Sequence, residues 1–152
     1  MVHRLTQIVV LISLPLLMAA TCTPPARVTN LEGSMAVGES FQWIVANVDY
    51  VSEPAGQDYW QLAIETLDWR TGDCEDMGIA MMFLSGQGEL VLLDVYRQTG
   101  RGTYEYAYGH AIVSVGTLFY DPTNGNVYSG WPSGYYVEIG RWSYDQVATR
   151  FY

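Results

Sequence analysis

The segment from Cys74 to Ser85 constrains this chain more than any other. Met77, Ile79, Ala80, Met81, Met82, Phe83 and Leu84 make it apolar nearly all round, and a helix with no polar face must be wrapped by other elements instead of lying on a surface. Thr71-Gly72-Asp73 supplies a break and a capping residue in front of it, and Gly86 ends it. Beyond Gly86 the pattern changes to strands: Glu89 to Tyr96, Tyr104 to Val115, Thr117 to Tyr120, Asn126 to Tyr128 and Tyr135 to Trp142, separated by Gly, Pro and Asn turn signals. Upstream, Asp58 to Leu67 sets Tyr59, Leu62, Ala63 and Leu67 near helical spacing, which predicts a short amphipathic helix. Phe41 to Val51 is apolar, aromatic and β-branched, and reads equally as strand or helix. Two helices followed by four or five antiparallel strands predict an α+β domain.

The chain has 152 residues, enough for one core and too few for two ordinary domains. Its seven basic residues are all Arg and face 16 acids, for a net charge of −9. That balance offers no cationic footprint for phosphates, so nucleic acid and anionic membrane surfaces are poor candidates as partners. Residues 1–21 read as a secretory signal: His3 and Arg4, an apolar run of thirteen residues from Ile8 to Ala20, then small residues. At ~1.5 Å per residue the run reaches roughly 20 Å, short of a ~30 Å hydrocarbon core. Leu17 to Cys22 resembles a bacterial lipoprotein cleavage site, with Cys22 as the lipidated first residue of the mature chain; plain secretion is the alternative. Both place the protein in the periplasm, on the membrane or outside the cell. Residues 22–38 read as a tether and 39–152 as a single domain.

Within that domain one cysteine and one histidine remain, Cys74 and His110. Cys74 sits in the first turn of the buried helix, where unpaired N–H groups and the helix dipole favour a thiolate and could hold an oxyanion. Asp73, Glu75 and Asp76 surround it with negative charge, which calls for a cationic partner. A two-residue loop at Val115-Gly116 would pair Ser114 with Thr117 and set His110 opposite Asp121, with Cβ atoms ~4.5–5.5 Å apart on one face. These residues would supply the nucleophile, base and orienter of a thiol hydrolase.

Tyr59 to Leu67, Gly72-Asp73-Cys74-Glu75-Asp76, Gly109-His110-Ala111 and Tyr120-Asp121-Pro122 together resemble the transglutaminase-like superfamily, in particular its bacterial transglutaminase-like cysteine proteinases. The resemblance runs from Tyr59 to Pro122 in the order Cys, His, Asp. It implies a papain-like core with Cys74 as nucleophile, His110 as base and Asp121 as orienter. It also implies calcium as an optional ligand at Asp73 and Glu75, with no cofactor required. Besides the Cys74 amide, Trp60 and Gln61 are oxyanion candidates by position. The chain departs from the family in a short Cys-to-His segment, in Gly78 where Ala is usual, and in Leu62-Ala63 where Pro is often found.

Each feature also has an ordinary reading. Cys74 could be a small buried hydrophobe, His110 a packed core residue and Asp121 a turn initiator, with the acids around Cys74 acting as helix caps. The expectation is a secreted or lipid-anchored cysteine peptidase acting on envelope or surface proteins. Acyl transfer on the same triad and a non-catalytic envelope binding module are the competing readings. A disulfide between Cys22 and Cys74 would abolish the chemistry.

Overall fold

The structure, a computed structural model, describes residues 30–54, 56–130 and 135–152. The signal segment, Cys22 and most of the tether lie outside the described residues, and no helix among those described is long and apolar enough to cross a membrane.

Among the described residues four helices and seven strands follow in the order α1 (Val37–Asn47), β1 (Asp49–Tyr50), α2 (Ala63–Trp69), β2 (Thr71–Gly72), α3 (Cys74–Ser85), β3 (Glu89–Gly100), β4 (Thr103–Val115), β5 (Leu118–Asp121), β6 (Asn126–Tyr128), β7 (Tyr136–Ser143) and α4 (Tyr144–Phe151). Mixed helix and antiparallel sheet make this an α+β domain. The main sheet has the order β6-β5-β4-β3-β7, and β1 pairs with β2 in parallel. α3 has the bounds its caps predict: Asp73 accepts from the Asp76 amide at its start, and Gly86, at φ +67°, ends it. Met77, Ile79, Ala80, Met81 and Met82 are at most 2% exposed, and each long apolar side chain so buried contributes about 1.5–3 kcal/mol.

α1 and α2 cover α3 on one side, and Leu90, Ala111 and Val113 of the sheet cover it on the other. Gly78 lies at the closest approach, where a Cβ would come 2.7 Å from Leu90 Cδ1, so the departure from Ala at this position has a packing cause. A smaller cluster of Val91, Leu93 and Ile112 occupies the opposite face of the sheet.

Three expectations need correction. The ambiguous Phe41–Val51 stretch is mostly helix α1, which the Glu39 carboxylate starts by accepting from the Ala36 amide. The packed domain begins before residue 39, because α1 starts at Val37 and the Gly33 and Met35 amides donate to the Phe83 and Leu84 carbonyls of α3. A final helix, α4, was not anticipated: Ser143 and Gln146 cap it reciprocally, and Val147 anchors it in the core.

Candidate active site

α2 starts only at Ala63, later than its periodicity suggests, because Leu62 is its cap and donates its amide to Glu65. The residues before it, with Tyr50 and Glu53, form one wall of a cleft of about 590 Å3. The first turn of α3 and the Gly109–Ala111 stretch of β4 form the other wall. Cys74 and His110 both line this cleft.

His110 is held firmly. Its Nε2 lies 2.8 Å from Asp121 Oδ2, with side chains only 12% and 4% exposed. Asp121 also accepts from the Thr123 amide, the Thr123 hydroxyl and the Asn124 side chain. Burial pushes the Asp121 carboxyl upward, but the bonds from His110 and Thr123 outweigh it and hold it below its ordinary range. Asp121 therefore orients the ring through Nε2 and leaves Nδ1 outside that bond.

The register that brings them together differs from the expected one. Val115 pairs with Leu118, Ser114 with Phe119 and Val113 with Tyr120, so the loop is Gly116-Thr117 and not Val115-Gly116. A two-residue hairpin needs positive φ at its first loop position, which Gly116 adopts at +62° and Val115 would resist. Moving the loop by one residue displaces each cross-strand partner by two, which preserves the face, and His110 and Asp121 meet diagonally instead of directly opposite.

Along β4, Ala111 and Val113 pack toward α3, while Ile112 packs with Leu93, the register partner of His110, on the other face. β5 pairs with β4 only from Val113 to Val115. Past Val113 no described strand covers that edge, and there the cleft reaches both His110 and Ala111.

Cys74 is 8% exposed, and its Sγ donates to Glu75 Oε2 at 2.8 Å. Among the described residues it makes no hydrogen bond to the imidazole. Burial pushes the thiol pKa far up, Glu75 and Asp73 push it the same way, and the Ala111 amide offsets only part of this. Cys74 is therefore held as a neutral thiol. Burial and the charge of Glu75 also raise Asp73 to about 7. Burial raises Asp76 to about 6 although the Gln61 and Asp73 amides pull it back.

Of the two oxyanion candidates chosen by position, Gln61 has its backbone amide engaged and Trp60 its indole. The Gln61 amide donates to Asp76 Oδ1 at 2.8 Å, and Gln61 does not line the cleft. Trp60 lines it, but its indole N–H donates to Asp58 at 2.8 Å, and its ring packs against Trp142 and Phe151. The capping pair takes the Asp73 and Asp76 amides, which leaves those of Cys74 and Glu75 as the amides of the first turn without an intrahelical acceptor.

Asp73, Cys74 and Glu75 each place one ligand atom within 4.8 Å of the others. Calcium takes about six to eight oxygens. This set offers two carboxylates and a soft thiol, while the nearby Asp76 and Glu53 carboxylates accept backbone amides. Loops or water would have to complete the shell, so these residues alone do not form a calcium site.

Sequence reasoning missed Glu53, Asp58, Tyr50 and Tyr106 as walls of the cleft. Tyr106 is brought there by a bulge at Ala107: Val95 pairs with Tyr108 but Tyr96 with Tyr106, which turns Tyr106 to the face opposite Tyr108 and His110. The chain matches no known family model and no curated protein.

Proposed function

We propose that this protein is a thiol hydrolase of the transglutaminase-like class with a papain-like core, working in the cell envelope as a cysteine peptidase on surface or envelope proteins. The observation that carries the reading is that His110, bonded to the buried Asp121 at 2.8 Å, lines the same cleft as a cysteine at the start of a buried helix. In this reaction His110 Nδ1 takes the Cys74 proton as the sulfur leaves Glu75, and the sulfur attacks an amide carbonyl carbon. The Cys74 amide donates to the oxyanion. The C–N bond then breaks, and the imidazolium gives its proton to the departing amine. Water, deprotonated by the same ring, cleaves the thioester to a carboxylate and restores the thiol. An amine in place of water would make the reaction acyl transfer. No step passes through calcium, which enters only as an added variable in the test.

A non-catalytic binding module is the second reading, favoured by the thiol's bond to Glu75 in place of the imidazole. The deciding experiment follows Cys74 alkylation by iodoacetamide against pH in the mature protein, with peptide mass spectrometry to score Cys22 separately, with and without calcium. Cleavage of an unfolded protein substrate in 18O water is measured alongside. The hydrolase reading expects cleavage that introduces 18O at the new carboxylate and is abolished in Cys74→Ala and His110→Ala, together with a loss of thiol reactivity in His110→Ala. Alkylation unaffected by His110→Ala, with no cleavage, leaves the binding module.

A further inference from the structure

The cleft carries more negative charge than its chemistry requires. Glu53, Asp58, Asp73 and Glu75 all line it, and none has a cationic partner, since the ion pairs among the described residues join His110 to Asp121 and Arg141 to Glu89 and Glu138. Among the described residues no Arg lines the cleft, and the chain has no Lys. Glu53 holds the Tyr59 amide and Asp58 the Trp60 indole, neutral donors that leave the carboxylate charge in place, and Asp73, raised to about 7, adds part of a charge; around a hollow with low-dielectric walls these focus a negative potential into it. Aromatic rings stand beside them: Tyr50 and Tyr106 line the same cleft and are 52% and 59% exposed, and the faces of such rings attract cations.

Tyr106 also lines a second hollow of about 570 Å3 over the β3–β4 hairpin, with Tyr96, Tyr135 and Arg97, so the cation-receiving carboxylates lie in the first hollow alone. Two hollows that share Tyr106 offer an extended chain more contact than a compact small molecule. We infer that the cleft selects an extended polypeptide by a basic side chain, Lys or Arg, received by the carboxylates of Glu53 and Asp58 and the ring of Tyr106. As a statement about substrate, this rests on the hydrolase reading; as a statement about what the cleft binds, it is tested without catalysis.

The first probe is a pair of methanethiosulfonate reagents of opposite charge, trimethylammonioethyl and sulfonatoethyl, reacted with Cys74 in the full mature protein in the presence of a chelator. Each rate is normalised to that of free cysteine. The expected cationic-to-anionic ratio is about tenfold or more at low salt and collapses toward one near 1 M salt. Because Asp73 and Glu75 also contribute to that field, the double variant Glu53→Gln/Asp58→Asn decides the assignment, with an expected fall of about threefold or more in the ratio. An unchanged ratio in the double variant overturns the proposal.

The second probe is protection of Cys74 from neutral iodoacetamide by a Gly-Arg repeat peptide against a Gly-Glu repeat peptide. Protection by the basic peptide alone, lost in the double variant and weakened in Tyr106→Ala, supports the inference; equal protection by both overturns it. Turnover separates the two proposals. Cleavage of unfolded protein with no preference for basic residues would sink this inference and keep the hydrolase. Charge-selective protection with no cleavage would sink the hydrolase and keep a site for basic peptides.

Discussion

Replacing Glu75 by Gln leaves a side chain of the same shape beside the Cys74 sulfur and removes one unit of negative charge. The relevant separation is 2.8 Å from Sγ to Oε2. Two unit charges at that distance repel by about 1.5 kcal/mol at the dielectric of water and by about 6 kcal/mol at an effective value of 20. Cys74 is buried and Glu75 half-buried, so the site lies between these limits. Even the lower limit amounts to about one pKa unit. Thiolate at neutral pH would rise about tenfold or more. A less basic thiolate is a weaker nucleophile, so the gain in alkylation rate is smaller, about threefold or more per unit. The assay is the iodoacetamide rate on Cys74 from pH 6 to 11 in the wild type and in Glu75→Gln. The expected result is a rate at pH 7.5 about threefold or more faster in the variant. A rate that stays put or falls would refute the claim that the charge of Glu75 adds to burial in holding the thiol neutral.

Asp121→Ala strands the Thr123 hydroxyl, the Asn124 amide and His110, all of which bond to it. It should cost about 1–3 kcal/mol in chemical denaturation and abolish any cleavage activity, whereas a variant of wild-type stability would mean that these bonds contribute nothing net. Asp73 and Asp76 titrate near 7 and 6 when folded, against 3.8 ordinarily, so the folded state binds protons more tightly over that interval. The stability they contribute is full below about pH 4 and is lost as pH rises through 6 to 7. Urea midpoints should therefore fall from pH 5 to pH 8, and Asp73→Asn, which keeps the cap, should recover part of that loss at pH 8 and none at pH 5; an equal effect at both would exclude the carboxyl as the cause. Gly86 adopts φ +67°, and a Cβ there would lie 2.8 Å from the Gly33 backbone. Gly86→Ala should cost about 1–3 kcal/mol and lower the melting temperature by several degrees, and an unchanged melting temperature would contradict this packing.

α3 was legible to the residue because its caps and its apolar circumference point to the same element. The sheet was legible strand by strand because Gly, Pro and Asn mark its turns. α1 was not, since Phe41, Trp43, Ile44 and Val48 satisfy a buried strand as well as a buried helix and only packing against α3 decides. α4 was hidden because its start, Ser143 followed by Gln146, sits directly on the end of an aromatic strand. For the site, types and order in the sequence were enough to nominate Cys74, His110 and Asp121. They gave no view of the Cys74–Glu75 bond, and the hairpin argument reached the right partners through a loop misplaced by one residue, an error the two-residue period of a strand forgives. The acidic wall could not be read at all, because Glu53 and Asp58 lie in an irregular segment whose path only tertiary structure fixes.

The stack of Trp60 on Trp142 and Phe151 bears on the order in which the molecule assembles. α3 and the β3–β4 hairpin close over short stretches of chain, but this wall of the cleft is completed by β7 and α4, from the far end of the described sequence. Its closure carries the largest loop entropy of any contact at the site. The turn that carries Cys74 thus depends on contacts local in the chain, while this wall of the cleft depends on contacts between segments far apart in it.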